Sequence, residues 1–243
     1  MSDLLTLEDV DAAVEGFQVT HGLSFDVGEA EAVGYVGRNG AGKTTTFRGI
    51  MGLTEVMDGS IRFRGEELTA LRPEQIPRQG IGYQPEDRKL FTGMTIDENF
   101  RMPIWTLGDA RGITDEDAAV EDVYDIFEEL SDRRNANVEN LSGGQAKMVS
   151  IGRALSLKPD LLILDEPLEG LAPIIVERLK EYIQQINEMG IAVLIAESNV
   201  QHVPEMVDKL YVIERGEIFA EGEPEEVASR TAVQELMQGS GQE

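Results

Sequence analysis

The sequence contains no cysteine and only two histidines, His21 and His202. Without cysteine the chain can form no disulfide, and it offers no thiolate as a nucleophile or a metal ligand. The two histidines lie far apart in the chain, so they match no spacing typical of a metal site. A catalytic triad built on histidine is therefore not expected.

Signals for membrane insertion and secretion are also missing. No apolar run approaches the roughly 18 residues that a membrane-spanning helix needs. The first residues, Met1-Ser2-Asp3, lack the basic region that opens a signal peptide. We therefore expect a cytosolic protein, or one that is held peripherally at the cytoplasmic face of the cell membrane by a partner.

Basic residues are scarce. Only 21 lysines and arginines, six of them lysine, stand against 46 aspartates and glutamates, which gives a net charge of −25. Nucleic acid is not an expected partner, because phosphate contacts need a basic face. The 41% of hydrophobic residues, spread over well-spaced segments, indicate a folded core. Molar salt shortens the screening length to roughly 3 Å, so the acidic surface predicts a halophilic source.

The most specific motif reads Gly37-Arg38-Asn39-Gly40-Ala41-Gly42-Lys43-Thr44 and fits the P-loop pattern G-x-x-x-x-G-K-[ST] at every fixed position. Its glycines let backbone N–H groups surround a polyphosphate, Lys43 can reach the β- and γ-phosphates, and the Thr44 hydroxyl can bind Mg²⁺. An apolar strand over 31–36 precedes it, and a helix over 45–51, starting at Thr45, presents its N-terminus to the same phosphates. The pattern predicts a nucleotide site. The alternative is a glycine-rich surface turn with a chance lysine.

A second motif is an apolar strand over 161–164 that ends in Asp165-Glu166-Pro167. In P-loop enzymes the strand-end aspartate lies beside the P-loop and holds Mg²⁺, so this pattern assigns the metal to Asp165 and Thr44. Glu166 can polarise the attacking water as a general base. The alternative is an ordinary buried strand whose end carries solvated acids.

The third motif, Leu141-Ser142-Gly143-Gly144-Gln145, stands before a predicted helix. Its hydroxyl and its exposed N–H groups can bind an anion at the helix start, although Ser142 can equally be a simple N-cap. Residues 140–155 followed by 161–167 resemble the signature helix and the Walker B segment of ABC-transporter ATPases. The resemblance extends over about residues 4–238.

This resemblance implies an α/β P-loop NTPase fold of the ABC-ATPase type, with a central mostly parallel sheet. Residues 1–94 and 156–238 would form the nucleotide-binding core with an antiparallel β-subdomain, and 95–155 an α-helical signalling subdomain. The implied cofactors are ATP and Mg²⁺. Two subunits would close head to tail, each ATP lying between one P-loop and Ser142, Gly143, Gly144 and Gln145 of the other. Lys43, Ser142 and Glu166 would then serve hydrolysis.

The implied partners are a second ABC ATPase subunit, identical or different, and membrane permease subunits that bind through a coupling helix. A substrate-binding protein is implied indirectly. Phe91–Asn99 resembles the permease-gripping segment of the branched-chain amino acid importers, and Met94 and Met102 suit such a groove. The alternative is that both methionines belong to the core of the helical segment.

Several positions depart from the usual ABC pattern. The Q-loop falls near Gln84, but counting back from Met94 places Glu86 at the usual glutamine, so both remain candidates. Ser198 stands where most members have the switch histidine and is the catalytic candidate at that position. Val14 aligns with the usual adenine-stacking tyrosine. The nearest ring is Phe17, which either stacks on adenine or packs in the core.

The segments Pro85–Arg88 and Glu197–Asn199 resemble the branched-chain amino acid branch. We therefore expect an ATP-hydrolysing subunit that powers import of branched-chain or related amino acids. Urea and amide importers share this ATPase type and remain an alternative. A non-transport ABC ATPase and a regulatory nucleotide-binding module with little turnover are rivals from other classes. Glu169–Pro173 resembles the D-loop of the dimer interface.

The remaining pattern predicts further elements. Strands are expected at 4–10, 23–27, 60–65, 80–83, 191–196, 210–213 and 218–220, and helices at 118–130, 173–189 and 224–237. Asp58-Gly59 is expected to form a turn, Pro103 and Gly108 to interrupt the helical segment, and Thr114 to open a capping box. Residues 239–243 are expected to fray.

Overall fold

The chain alternates strands and helices, and a computed structural model describes residues 3–238. The strands are β1 (Asp3–Val14), β2 (Phe17–Gln18), β3 (Leu23–Gly28), β4 (Ala32–Val36), β5 (Glu55–Phe63), β6 (Glu66–Glu67), β7 (Ile81–Gln84), β8 (Leu161–Asp165), β9 (Ala192–Glu197), β10 (Lys209–Glu214) and β11 (Glu217–Gly222). The helices are α1 (Lys43–Ile50), α2 (Ile96–Leu107), α3 (Glu116–Ile126), α4 (Glu128–Ser131), α5 (Gly143–Leu155), α6 (Pro173–Glu188), α7 (Pro224–Ser229) and α8 (Thr231–Gln238). Residues 239–243, expected to fray, lie outside the described part of the chain.

The central sheet has six strands in the order β11-β10-β4-β9-β8-β7. Strands β10, β4, β9, β8 and β7 run parallel, and β11 returns antiparallel through a hairpin at Arg215-Gly216. Val36 lies opposite Glu197, and Asp165 lies opposite Ala196. The carboxyl ends of β4, β9 and β8 are therefore neighbours, which is where ligands bind in open α/β sheets.

A second sheet is antiparallel and joins β1 with β2, β3 and β5, with β6 at its edge. It confirms the antiparallel sheet that the resemblance implied beside the central sheet. The expected turn at Asp58-Gly59 is wrong, because β5 runs through both residues. The pairing of β5 with β1 shifts register there, and a side chain at Gly59 would meet the backbone oxygen of Asp9 at 2.4 Å. A bulge, and not a turn, uses this glycine.

Each strand of the central sheet sends alternate side chains to opposite faces, so the sheet separates two apolar cores. Leu161 and Ile163 pack with α1 and the antiparallel sheet, whereas Leu162 and Leu164 pack with α2, α3, α5 and α6. The second group includes Phe100 of α2 and Val120 of α3. The helical segment therefore shares its core with one face of the sheet.

The helical segment differs from its prediction in two places. Pro103 lies inside α2 and does not interrupt it, while Gly108 does end it. A proline inside a helix costs about 3 kcal/mol relative to alanine, and the packing of Phe100 and other buried α2 residues offsets that cost. The predicted helix over 118–130 begins earlier, with Asp115 as its N-cap in place of Thr114, and it is broken at Phe127.

Two predicted helices are each broken at a single residue. Phe127 leaves the helical conformation with ψ 59°, and its buried ring meets Tyr182 edge-on at 5.0 Å between centroids. The predicted helix over 224–237 is likewise two helices, because Arg230 adopts an extended ψ of 126° between α7 and α8. Periodicity cannot reveal a single residue that leaves the helix between two amphipathic pieces.

Candidate nucleotide site

The P-loop connects the buried strand β4 to α1. Gly42 is the N-cap of α1 at φ 113°, a conformation that favours glycine, and the side chain of Lys43 turns back over the loop. Its ammonium donates to the carbonyl oxygen of Gly37 at 2.6 Å and to that of Arg38 at 3.3 Å. A cavity of about 540 Å³ opens over the loop. It is lined by Val14, Val19, Asn39, Gly40, Gly42, Lys43, Thr44, Thr45, Glu86, Glu166 and Glu169.

Glu166 follows β8 and lines this cavity together with the P-loop residue Lys43. Its Oε1 is 3.0 Å from the Nζ of Lys43, and both side chains are almost fully buried. Its Oε2 accepts hydrogen bonds from the backbone N–H of Ser198 at 3.0 Å and from the Ser198 hydroxyl at 3.2 Å. The arrangement fixes both carboxylate oxygens beside the phosphate-binding loop, as a group that accepts a proton from water requires.

Thr44 and Asp165 meet on the same side of the loop. The hydroxyl of Thr44 donates to Oδ1 of Asp165 at 3.2 Å, and the hydroxyl of Tyr83 donates to Oδ2 at 3.2 Å. Burial, together with the charges of Glu86 and Glu166, raises the pKa of Asp165 to about 6, although both hydrogen bonds oppose the rise. A cation beside this carboxylate would favour its ionised form. Neighbouring hydroxyl and carboxylate oxygens are the donors that Mg²⁺ prefers, so these residues fit it.

The two Q-loop candidates occupy different surroundings. Glu86 lines the nucleotide cavity, and it also lines an adjoining cavity of about 650 Å³ that reaches Arg153. Gln84 is fully buried in β7, where its amide nitrogen donates to the carbonyl oxygens of Pro85 and Asp165. Its Oε1 has no partner among residues 3–238. Glu86 therefore faces the cavity, while Gln84 lies behind the strand end.

The signature motif opens α5 away from the cavity. Ser142 is the N-cap: its hydroxyl accepts from the N–H of Gln145 at 3.3 Å, and the Gln145 side chain accepts from the N–H of Ser142 at 3.2 Å. A side chain at Gly144 would meet Ile175 of α6 at 2.7 Å. Of the described residues that line the nucleotide cavity, none belongs to Ser142, Gly143, Gly144 or Gln145. The chain does not bring its own signature motif to its own P-loop.

At the adenine end, Val14 lines the cavity and Phe17 does not. Phe17 is 77% exposed in the short edge strand β2, so its assignment to the core is wrong. Met94 and Met102 are both half-buried and lie outside the buried core of the helical segment. Glu169 of the D-loop-like segment lies at the cavity wall.

The structure adds three residues to the site that the sequence motifs did not assign to it. Tyr83 supports Asp165, as described above. Lys147 of α5 donates to the carbonyl oxygen of Glu166 at 2.7 Å, and Glu197 accepts from the N–H of Leu168 at 2.9 Å. For Lys147 and Glu197, the sequence signal that could have indicated a site residue was a charged side chain inside an apolar stretch. Lys147 lies among buried residues of α5, and Glu197 ends the apolar strand β9.

Among residues 3–238, no helix is long and apolar enough to cross a membrane. Within the same described residues, no group of three or more histidine, cysteine, aspartate or glutamate side chains is placed to hold a metal ion by itself. The Mg²⁺ fit described above depends instead on one carboxylate and one hydroxyl.

Known proteins resemble the whole chain. It is 36% identical over 218 residues to the high-affinity branched-chain amino acid transport ATP-binding protein BraG of Pseudomonas aeruginosa, over 88% of this chain and 91% of that protein. It is 33% identical over 238 residues to the lipopolysaccharide export system ATP-binding protein LptB of Haemophilus influenzae, over 97% of each. The ADP conformation of MJ1267, an ATP-binding cassette of an ABC transporter, matches 99% of this chain at 29% identity with a TM-score of 0.84 and is itself fully covered.

These similarities confirm the ABC-ATPase fold expected from the motifs. The ABC transporter family itself is matched over residues 20–169, from just before β3 to the segment after Glu166. The chain belongs to the ATP-binding, ATP-hydrolysing subunits of the ABC transporter family.

Proposed function

We propose that this chain powers an importer of branched-chain or related amino acids by hydrolysing ATP with Glu166 as the general base. The observation that carries the catalytic part is the position of Glu166 between Lys43 of the P-loop and Ser198, the residue that follows β9. Support for the substrate class is the similarity to BraG together with the segments Pro85–Arg88 and Glu197–Asn199. The similarity to LptB, and the urea and amide importers, keep other cargoes as alternatives.

In the proposed reaction the P-loop N–H groups and Lys43 bind the phosphates of ATP. Thr44 and Asp165 would hold Mg²⁺, which when bound neutralises phosphate charge. Glu166 accepts the proton of the attacking water, and Ser198 keeps its carboxylate oriented. Glu86, at the cavity wall, is the proposed Q-loop residue, with Gln84 behind it as the alternative.

The separation of the two phosphate-binding motifs within one chain supports a head-to-tail dimer. Residues 142–145 do not line the nucleotide cavity of their own chain. They can therefore contact a nucleotide only when another subunit holds that nucleotide. Transporters of the proposed type usually combine two different ATPases, so the partner is either a second copy or a related chain. In the dimer, Ser142 and Lys43 would share the γ-phosphate charge.

We place the subunit at the cytoplasmic face of the membrane, bound to permease subunits through their coupling helix. The half-buried Met94 and Met102 supply adaptable apolar contacts on the helical segment, which supports that face as the docking side. The segment 95–155 would act as the signalling subdomain against the core formed by 1–94 and 156–238. A substrate-binding protein would act on the permease and not on this chain.

A regulatory module with little turnover is the competing function that Ser198 suggests. The ion pair of Glu166 with Lys43 argues against it, because a site without turnover needs no base. Steady-state hydrolysis of ATP in molar KCl, beside Glu166→Gln, separates the two. We expect turnover that falls by about 10²- to 10⁴-fold in the variant while ATP binding persists. Bound ATP without turnover in the unaltered chain would support the module.

Cargo is tested separately, by deleting the gene in the source organism and measuring uptake of labelled leucine and labelled urea. Loss of leucine uptake alone, restored by the unaltered chain and not by Glu166→Gln, is expected. Loss of urea uptake alone would replace the amino acid proposal. We also propose that the protein works at high salt, on the strength of its net charge of −25.

A further inference from the structure

Lys147 is a buried lysine for which the proposed chemistry has no use. It lies in the first half of α5 with 2% of its surface exposed. Its ammonium donates to the backbone carbonyl oxygen of Glu166 at 2.7 Å. Burying an ammonium is costly unless it is paired, so a lysine kept here needs a compensating role.

The surroundings of Lys147 are acidic. Glu197, 2% exposed, lies near it and accepts the N–H of Leu168, while Glu169 and Asp165 add further negative charge. Burial and the cation of Arg88 lower the pKa of Lys147, and the three carboxylates oppose that shift. The ammonium is therefore held between the signature helix and the turn that follows β8.

That turn is strained at the residue that matters for catalysis. Glu166 adopts φ 49°, a left-handed backbone conformation that is unfavourable for residues other than glycine. Its N–H donates to the carbonyl oxygen of Ala196 at 3.0 Å, so β9 holds one side of the residue. Lys147 holds the other side through the carbonyl oxygen. The direction of the Glu166 side chain depends on both contacts.

We propose that Lys147 is a positioning residue for the base: from the helix that begins with the signature motif, it fixes the backbone of Glu166. Lys147 follows Ser142 by little more than one helical turn. A displacement of the start of α5, where the signature motif would meet the nucleotide of a second subunit, therefore reaches Glu166 of the same chain through a single side chain. The inference rests on the proposed role of Glu166 as general base.

The test compares Lys147→Met and Lys147→Gln with the unaltered chain and with Lys180→Met. Methionine keeps the length and apolar stem of the side chain but cannot donate, whereas glutamine restores a neutral donor. Lys180 is the matched control, since it is also largely buried but lies on α6, where it pairs with Glu177 and Glu205. Thermal unfolding of each variant checks that the fold persists.

We expect Lys147→Met to lower kcat by about 10- to 100-fold with the KM for ATP little changed, because the base is misplaced and nucleotide binding is not. Lys147→Gln should recover a large part of kcat, and Lys180→Met should leave it unchanged. The decisive measurement adds Lys147→Met to Glu166→Gln. If Lys147 acts through Glu166, the double variant hydrolyses ATP no more slowly than Glu166→Gln alone.

An unchanged kcat in Lys147→Met overturns the inference. The inference is also overturned if Lys147→Met lowers kcat by the same factor in the Glu166→Gln background as it does in the unaltered chain. A fall in ATP affinity at unchanged kcat also overturns it, since that result assigns Lys147 to binding. Full turnover in Glu166→Gln alone is a different failure: it removes the proposed base itself. The two failures are therefore distinguished by the single Glu166 variant.

Discussion

Ser198 donates both its backbone N–H and its hydroxyl to the same oxygen of Glu166, at 3.0 and 3.2 Å. The residue that replaces the usual switch histidine therefore contacts the carboxylate of Glu166, and it is not one of the described residues that line the nucleotide cavity. Two donors on one oxygen hold the carboxylate in a single orientation and leave Oε1 to Lys43.

Ser198→Ala removes one of these two donors. Because the backbone N–H remains, we expect kcat to fall only about 3- to 10-fold, which corresponds to one hydrogen bond of about 1 kcal/mol. The measurement is steady-state ATP hydrolysis at saturating ATP and Mg²⁺. Ser229→Ala is the control, since that exposed hydroxyl donates to the carbonyl oxygen of Glu226 within α7. A loss as large as that of Glu166→Gln would mean that Ser198 acts on the nucleotide directly.

Tyr83→Phe removes the hydroxyl that holds Oδ2 of Asp165. Residues that support a metal ligand typically contribute 10- to 100-fold in metal affinity, so we expect the half-saturating Mg²⁺ concentration to rise about 10-fold. At saturating Mg²⁺ the kcat should be close to that of the unaltered chain. Tyr182→Phe on α6, remote from the site, should change neither quantity. An unchanged Mg²⁺ titration for Tyr83→Phe would remove this residue from the metal site.

The sequence predicted those parts of the site that are contiguous in the chain. The P-loop from Gly37 to Thr44 and the pair Asp165-Glu166 are each specified by neighbours in sequence, because a strand end and a helix start fix their directions. Tyr83, Lys147 and Glu197 come from three separate elements and meet only through the pairing of β7, β8 and β9 and the packing of α5. Local sequence patterns do not predict contacts between residues that lie so far apart in the chain.

Tertiary packing also explains the errors in the fold. Pro103 lies within a helix and Phe127 breaks one, in both cases against the helix propensity of the local sequence. Buried contacts of the helical segment with the sheet outweigh preferences of a few kcal/mol at single residues. Phe17, in contrast, is aromatic but lies at an exposed edge, where β2 has only two residues.

Glu197 predicts a pH dependence of stability. Its burial and the neighbouring charge of Glu166 raise its pKa from an ordinary 4.5 to about 8, although the N–H of Leu168 and the charge of Lys147 oppose the rise. Between about pH 4.5 and pH 8, Glu197 is protonated in the folded chain and ionised in the unfolded chain. Stability from this group is therefore fully present below about pH 4.5 and is lost as the pH rises through about 8.

Glu197→Gln should remove that loss, because glutamine carries no titrating proton. We expect the free energy of unfolding of the unaltered chain, relative to the variant, to decrease from pH 5 to pH 8.5 in urea titrations at fixed KCl. The exposed Glu188→Gln on α6 is the control and should show a constant difference. A constant difference for Glu197→Gln as well would mean that Glu197 is ionised throughout this range.

The excess of acidic residues predicts stabilisation by salt. With a net charge of −25, repulsion among carboxylates opposes the compact state, and added KCl screens it. Since the screening length falls from about 10 Å at 0.1 M to about 3 Å at 1 M, most of the effect should be complete near 1 M. We expect the melting temperature to rise by about 10 °C over that interval, or about 3 to 5 kcal/mol for a chain of this size.

The shape of the salt titration separates screening from the general effect of salt on apolar burial. Screening saturates, whereas strengthening of apolar burial continues with concentration, so a plateau above about 1 M KCl assigns the stabilisation to charge. The ion pairs at the surface, such as Arg62 with Glu8, are weakened by the same salt and contribute little, so they should not reverse the trend. A melting temperature independent of KCl would contradict the proposal that this protein is adapted to high salt.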